Sequence, residues 1–262
     1  MGASAWEDRT SFVQALGLEA WRDGEDTHGA LPLDDAVAGA ASGRPLTGLA
    51  AVLADVVLSN SPEGLYGPTV DLHLQLLGPL PRHGRLHAVG RPIKVGRRLV
   101  VAEARLDVDG APCGRAVGTF LHQHVSPVPL EGLFPVRASR PPRPPSFEAV
   151  LAATHPDAAS TRVVAAAPLR NGEGGTVQGG IQAIIAELAA GWALGSDEAD
   201  AGGWVPDDLD VRYLGVVREG PVLATAEVVA RDGDRGLVHV RLHDEADGGL
   251  VAFVALRCER GV

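Results

Sequence analysis

The sequence predicts an α+β protein of two like units, each a curved antiparallel sheet wrapping one central apolar helix. Three observations carry that prediction. A proline-dense stretch divides the chain near its middle, the two flanks repeat one order of elements, and each flank holds a single apolar helical run followed by alternating strands. The divider lies between Val125 and Pro145, where Ser126-Pro127-Val128-Pro129 is followed by Arg140-Pro141-Pro142-Arg143-Pro144-Pro145. Proline fixes φ and brings no amide donor, so such a run favours extended geometry and reads as a linker. The units are accordingly residues 1–124 and 146–262, joined by linker 125–145.

In the first unit, Leu18–Arg22 reads as a short strand. Leu46-Thr47-Gly48 then opens a helix over Leu49–Leu58, an apolar run broken by one acid, Asp55. Thr47, beside the first glycine, offers a hydroxyl to cap that helix. Asp71–Gly78 alternates apolar and polar residues, the mark of a half-buried strand. His87–Lys94, Leu99–Val108 and Ala116–His122 follow as further strands, with Asp109-Gly110 as a hairpin turn. The second unit matches element by element. Arg162–Ala167 is its first strand, Gln178-Gly179-Gly180 opens the helix Ile181–Ala190, and Glu187 is the one acid in it. Each acid stands seven residues after the last glycine. Asp208–Gly215 corresponds to Asp71–Gly78, Leu223–Ala230 and Leu237–Ala246 follow in register, Asp247-Gly248 is the turn, and Val251–Arg257 closes the unit. A helix apolar nearly all round has no face to present to water, so the sheet is expected to enclose it.

The chain has 262 residues, of which 45% are hydrophobic and 21% charged, and this composition excludes global disorder. A net charge of −10 excludes a chain-wide basic footprint for nucleic acid. Lys94 is the sole lysine, so an amine nucleophile has one candidate, and it stands in a strand-like run. Cys113 and Cys258 lack zinc-ligand spacing and read as small buried hydrophobes. No His-Glu-x-x-His, Gly-x-Ser-x-Gly, Gly-x-Gly-x-x-Gly or Walker pattern occurs, so no metal or redox cofactor is implied. The amino terminus has no signal pattern, and no uncharged apolar run reaches the 18 or so residues of a membrane span. A cytoplasmic protein without nucleic-acid or membrane partners is expected, and homo-oligomers of the chain are compatible with the sequence.

The segment Asn171-Gly172-Glu173-Gly174-Gly175-Thr176-Val177-Gln178-Gly179-Gly180, leading into the helix with Glu187, resembles the hotdog-fold thioesterases. The group in question includes the phenylacetyl-CoA and 4-hydroxybenzoyl-CoA thioesterases. Their pattern is Asn, a short spacer, His-Gly-Gly and a helix bearing Asp or Glu one to two turns in, and Gln178 stands where His is commonest. Leu209–Leu214 and Gly96-Arg97-Arg98 are also family-like, and the resemblance covers about residues 10–124 and 146–259. It implies a double hotdog, an intramolecular pseudo-dimer that hydrolyses an acyl-CoA or acyl-carrier-protein thioester in a cleft between the units.

The candidate site follows from those residues. Burial would raise the pKa of Glu187 and suit it as a general base near neutral pH, and in the resembling family this acid acts on water or on the thioester carbonyl. Amides of a helix's first turn, aided by its dipole, stabilise an oxyanion, and Gly179 and Gly180 let a carbonyl approach closely. Asn171 and Gln178 are positioning groups, although each is also a common turn residue. Asp55 is the counterpart of Glu187 in the first unit, with Gly48 and Thr47 before it, but the preceding Asn and His or Gln are missing there. One working site in the second unit is therefore expected, with the first unit completing the cleft. Arg97, Arg98 and Arg212 are candidates for the coenzyme A phosphates, since guanidinium binds phosphate in a bidentate fashion. A non-catalytic acyl or lipid binder and a hotdog hydratase or dehydratase are the alternatives.

Overall fold

Alternating apolar residues build the strands of this chain, and two apolar runs, each interrupted by one acid, build its long helices. The computed structural model describes residues 12–38, 44–61, 67–123, 130, 151–165, 169–170, 175–195 and 203–261. A single helical turn, α1 (Phe12–Ala15), precedes β1 (Glu19–Asp23) and β2 (Asp26–Leu33). Helix α2 (Gly48–Ser59) extends one residue past its predicted span at each end. β3 (Thr69–Leu76), β4 (Gly84–Val95), β5 (Leu99–Val108) and β6 (Ala111–Leu121) follow it. The second half repeats the order with β7 (Thr154–Asp157), β8 (Ser160–Val163), α3 (Gly179–Leu194), β9 (Trp204–Tyr213), β10 (Val222–Asp232), β11 (Arg235–Asp244) and β12 (Leu250–Arg260).

All these strands form one 12-stranded sheet in the order β1-β2-β4-β5-β6-β3-β9-β12-β11-β10-β8-β7. The order reads alike from either edge, so a pseudo-two-fold passes between β3 and β9. Their antiparallel register sets Asp71 opposite Arg212, His73 opposite Asp210 and Gln75 opposite Asp208. Side chains reinforce this seam on one face: the Gln75 amide donates to Asp208 at 3.0 Å, and His73 Nε2 lies 3.0 Å from the same carboxylate. Helix α2 packs against β2 to β6, α3 packs against β8 to β12, and the two helices pack on each other. Every residue of α2 is buried, which explains why it carries no polar stripe.

Two corrections to the sequence reading concern the start of each half. A hairpin, not a single strand, stands ahead of each helix, and the missed strands are β2 and β7. The span 162–167 was expected to be the first strand of its half, but β8 ends at Val163, and 166–168 lie outside the described residues. β2 contains Gly29 and Pro32, residue types that weaken the pattern of a strand. The structure gives the reason for the glycine: a Cβ on Gly29 would stand 2.5 Å from Val57 Cγ2 and 2.8 Å from Leu53 Cδ1. Helix α2 lies directly on the strand there. Asp109-Gly110 forms the expected tight turn, with φ values of 51° and 84°. Between β11 and β12 the connection is longer, residues 245–249, and the Asp244 carboxylate at its start accepts from the amides of Arg218, Glu219, Gly220 and Ala246. Of linker 125–145 only Leu130 lies among the described residues.

Candidate active site

The site follows from how the two long helices cross. A Cβ on Gly180 would stand 2.5 Å from Val52 Cα, and one on Gly48 would stand 2.9 Å from Ile184 Cα. The first turn of each helix thus lies against the backbone of the other's middle, and only glycine permits that approach. Asp55 comes three residues after Val52 and Glu187 three after Ile184, so each acid lies one turn further on the same face. The geometry follows: the acid of each helix is delivered to the amino end of its partner. Glu187 could not reach the first turn of its own helix, since seven residues at about 1.5 Å of rise place it roughly 10 Å away. The expected grouping of Glu187 with Gly179 and Gly180 in one site is corrected accordingly.

The two acid–amide pairs differ. Glu187, 5% exposed, accepts from the Thr47 amide at 3.0 Å and the Gly48 amide at 2.7 Å, one on each oxygen. Burial pushes its carboxyl up to about 7, against the opposing pull of those amides. It caps α2 from another helix. The Thr47 hydroxyl, expected to do so, donates instead to the Pro206 carbonyl at 2.8 Å, and makes no cap hydrogen bond. Asp55 is also buried and accepts from the Thr69 hydroxyl at 2.7 Å through Oδ1. Burial pushes its carboxyl up to about 6, with Thr69 pulling the other way. At the facing end of α3, the Gly179 and Gly180 amides have no hydrogen-bond acceptor among the described residues. The Tyr213 hydroxyl lies over Gly179, 3.0 Å from where its Cβ would be. Asp55 is near enough that its charge adds to burial in raising the Tyr213 pKa.

The pseudo-two-fold makes this difference legible residue by residue. In the strand register that matches Asp71 with Asp208, Thr69 corresponds to Pro206 and Leu76 to Tyr213. The Asp55 side therefore has two hydroxyls where the equivalent strand positions carry proline and leucine. Neither Thr69 nor Tyr213 stood out in the sequence. The available signal was strand periodicity, because Leu209, Val211 and Tyr213 share one face.

Other candidates fall elsewhere. Gln178 is the residue before α3 and is 7% exposed, with its Oε1 lacking a hydrogen-bond partner among the described residues. Asn171 lies outside the described residues. Arg97 and Arg98 are exposed in the turn between β4 and β5. Arg212 points to the face opposite Tyr213, where it pairs with Asp210 at 2.8 Å and approaches Asp71 at 3.9 Å. Among the described residues no three His, Cys, Asp or Glu side chains are grouped to hold a metal ion, and no helix is long and apolar enough to cross a membrane.

A long antiparallel sheet carrying two central apolar helices, one in each half and packed on each other, is the architecture of a class of protein, the hotdog fold. One of the solved structures that this chain resembles is described by the same name. A conserved protein from Alicyclobacillus acidocaldarius, described as having a hot dog fold, matches with a TM-score of 0.63 at 14% identity, over 96% of this chain and 98% of that one. A tesB protein of Mycobacterium avium subs paratuberculosis gives 0.62 at 15% identity over 95% and 98% of the two chains. An acyl-CoA thioesterase II, TesB2, of Mycobacterium marinum gives 0.58 at 15% over 94% and 95%. No protein-family model and no curated protein matches the chain. The chain is thus similar in structure, along nearly its whole length, to hotdog-fold thioesterases.

Proposed function

We propose that the chain is a double hotdog, residues 1–124 and 146–262 each supplying one helix and its half of the sheet, and that it hydrolyses acyl-CoA thioesters between them. One observation carries the choice of site: the Gly179 and Gly180 amides of α3, close to Tyr213 and so to the charge of the buried Asp55, have no acceptor among the described residues. Asp55 takes a proton from water held against the Thr69 hydroxyl, and the water oxygen attacks the thioester carbonyl carbon. The amides of α3 receive the charge that develops on the carbonyl oxygen. The carbon–sulfur bond then breaks, and the sulfur leaves with the proton that Asp55 took up. At the other crossing the Thr47 and Gly48 amides already hold Glu187, so the same donors are not open to a substrate.

A second reading places the chemistry at Glu187, favoured by its pKa of about 7, and requires that carboxylate to release the Gly48 amide first. Free-thiol release from a panel of acyl-CoAs and one acyl-carrier protein separates the two. Asp55→Asn is expected to lower kcat/KM at least a hundredfold, with Glu187→Gln retaining turnover in the folded fraction. Loss confined to Glu187→Gln moves the reaction to the second site. Acyl-CoA binding without release by the wild type means a binder, and release of water or its addition to an enoyl substrate means a hydratase.

A further inference from the structure

The amino end of α3 gathers buried polar atoms that no group among the described residues satisfies. Among the described residues, the Tyr213 hydroxyl and the side-chain oxygens of Gln178 and Gln182 have no hydrogen-bond partner, and both glutamines are more than nine-tenths buried. A phenol buried without a partner destabilises a fold, and phenylalanine or leucine would fill the space without that penalty. Leucine is what the chain carries at the equivalent place in β3, Leu76, which is 6% exposed. The tyrosine thus appears on one side of the pseudo-two-fold only. That side holds the Gly179 and Gly180 amides, which have no acceptor among the described residues, and the Asp55 carboxylate.

We propose that the Tyr213 hydroxyl donates a hydrogen bond to the carbonyl oxygen of the bound thioester, as a third donor beside the Gly179 and Gly180 amides. The inference rests on the assignment of hydrolysis to Asp55. Its geometry is the placement of the hydroxyl over Gly179, 3.0 Å from the site of a Cβ, an approach to the first turn of α3 that a side chain there would crowd. As the water oxygen bonds to carbon and its proton passes to Asp55, the carbonyl oxygen becomes negative and the three donors hold it. When the carbon–sulfur bond breaks, the carbonyl re-forms and the acid and thiol leave. Tyr213 keeps its proton throughout, because burial and the nearby Asp55 charge both disfavour the phenolate.

The test is Tyr213→Phe in the full chain, which keeps the ring over Gly179 and removes only the hydroxyl. Hexanoyl-CoA and palmitoyl-CoA serve as probes, and thermal unfolding is followed in parallel. The expected result is a kcat at least tenfold lower, a KM changed much less, an unfolding midpoint equal to or above the wild type, and an unmoved acid limb in the pH profile. Tyr213→Leu, which installs the residue of the first unit, is expected to behave alike. Wild-type kcat in a folded Tyr213→Phe overturns the role of Tyr213 and leaves hydrolysis standing. A lower midpoint that accounts for the lost activity in both variants makes the residue structural and also overturns it. Absence of thiol release from the wild type overturns the hydrolytic reading itself.

Discussion

Asp55 and Glu187 are carboxylates that the fold holds against their charge. For Asp55 the folded pKa of about 6 lies above the ordinary 3.8, so the native state binds a proton that the unfolded chain has released between those values. The associated stability is fully present below about pH 3.8 and is lost as pH rises through about 6. Relative to Asp55→Asn, wild-type stability should therefore fall by on the order of 3 kcal/mol across that window. Urea unfolding at pH 4 and pH 7 measures it, and a constant difference between the two proteins would contradict the burial argument. Activity should run the other way. A general base must be ionised, so kcat/KM is expected to rise tenfold per pH unit below about 6 and to level off above it. Both acids were legible in the sequence because each interrupts an apolar run. Their surroundings were not, since Thr69 and Tyr213 reach Asp55 from strands that begin 14 or more residues away.

At the scale of elements, the decisive contact is between α2 and α3. Gly180→Ala would set a methyl group 2.5 Å from Val52 Cα, against backbone that cannot rotate away. The helices must then separate, and a loss of roughly 1–3 kcal/mol is expected from overpacking. Chemical denaturation would read it, and an unchanged midpoint would mean that the crossing tolerates a side chain. Glu187→Gln tests the cap supplied from α3 to α2. A glutamine has one acceptor oxygen where the carboxylate has two, and its amide group would face a Thr47 or Gly48 amide. The expected cost is about 1–3 kcal/mol at pH 8, measured the same way. Most elements were readable from periodicity: β5 falls on its predicted residues, and α2 misses by one residue at each end. β2 was unreadable for a physical reason, because Gly29 exists to admit Val57 and Leu53 and only the packed helix explains it. The Thr47 cap shows the same limit, since a local rule assigned the hydroxyl to the helix and a distant carbonyl claimed it.

At the scale of the molecule, β3 and β9 join the two halves through backbone hydrogen bonds, and the helix crossing joins them again through the core. Neither half can unfold without exposing β3 or β9 as an unpaired edge and uncovering an apolar helix face. A single cooperative transition is expected, with equal calorimetric and van't Hoff enthalpies. Two separated transitions would show that the halves are independent. The sequence by itself determined the repeat, the two apolar helices, their glycines and their acids, because periodicity and composition are local properties of the chain. Only the tertiary structure decided which acid meets which amides. Two helices crossing about a pseudo-two-fold exchange their ends, so the residues of each pair lie far apart in the sequence, Thr47 and Glu187 at one end and Asp55 and Gly179 at the other. That exchange occupies the Thr47 and Gly48 amides with Glu187 and leaves the Gly179 and Gly180 amides without an acceptor among the described residues.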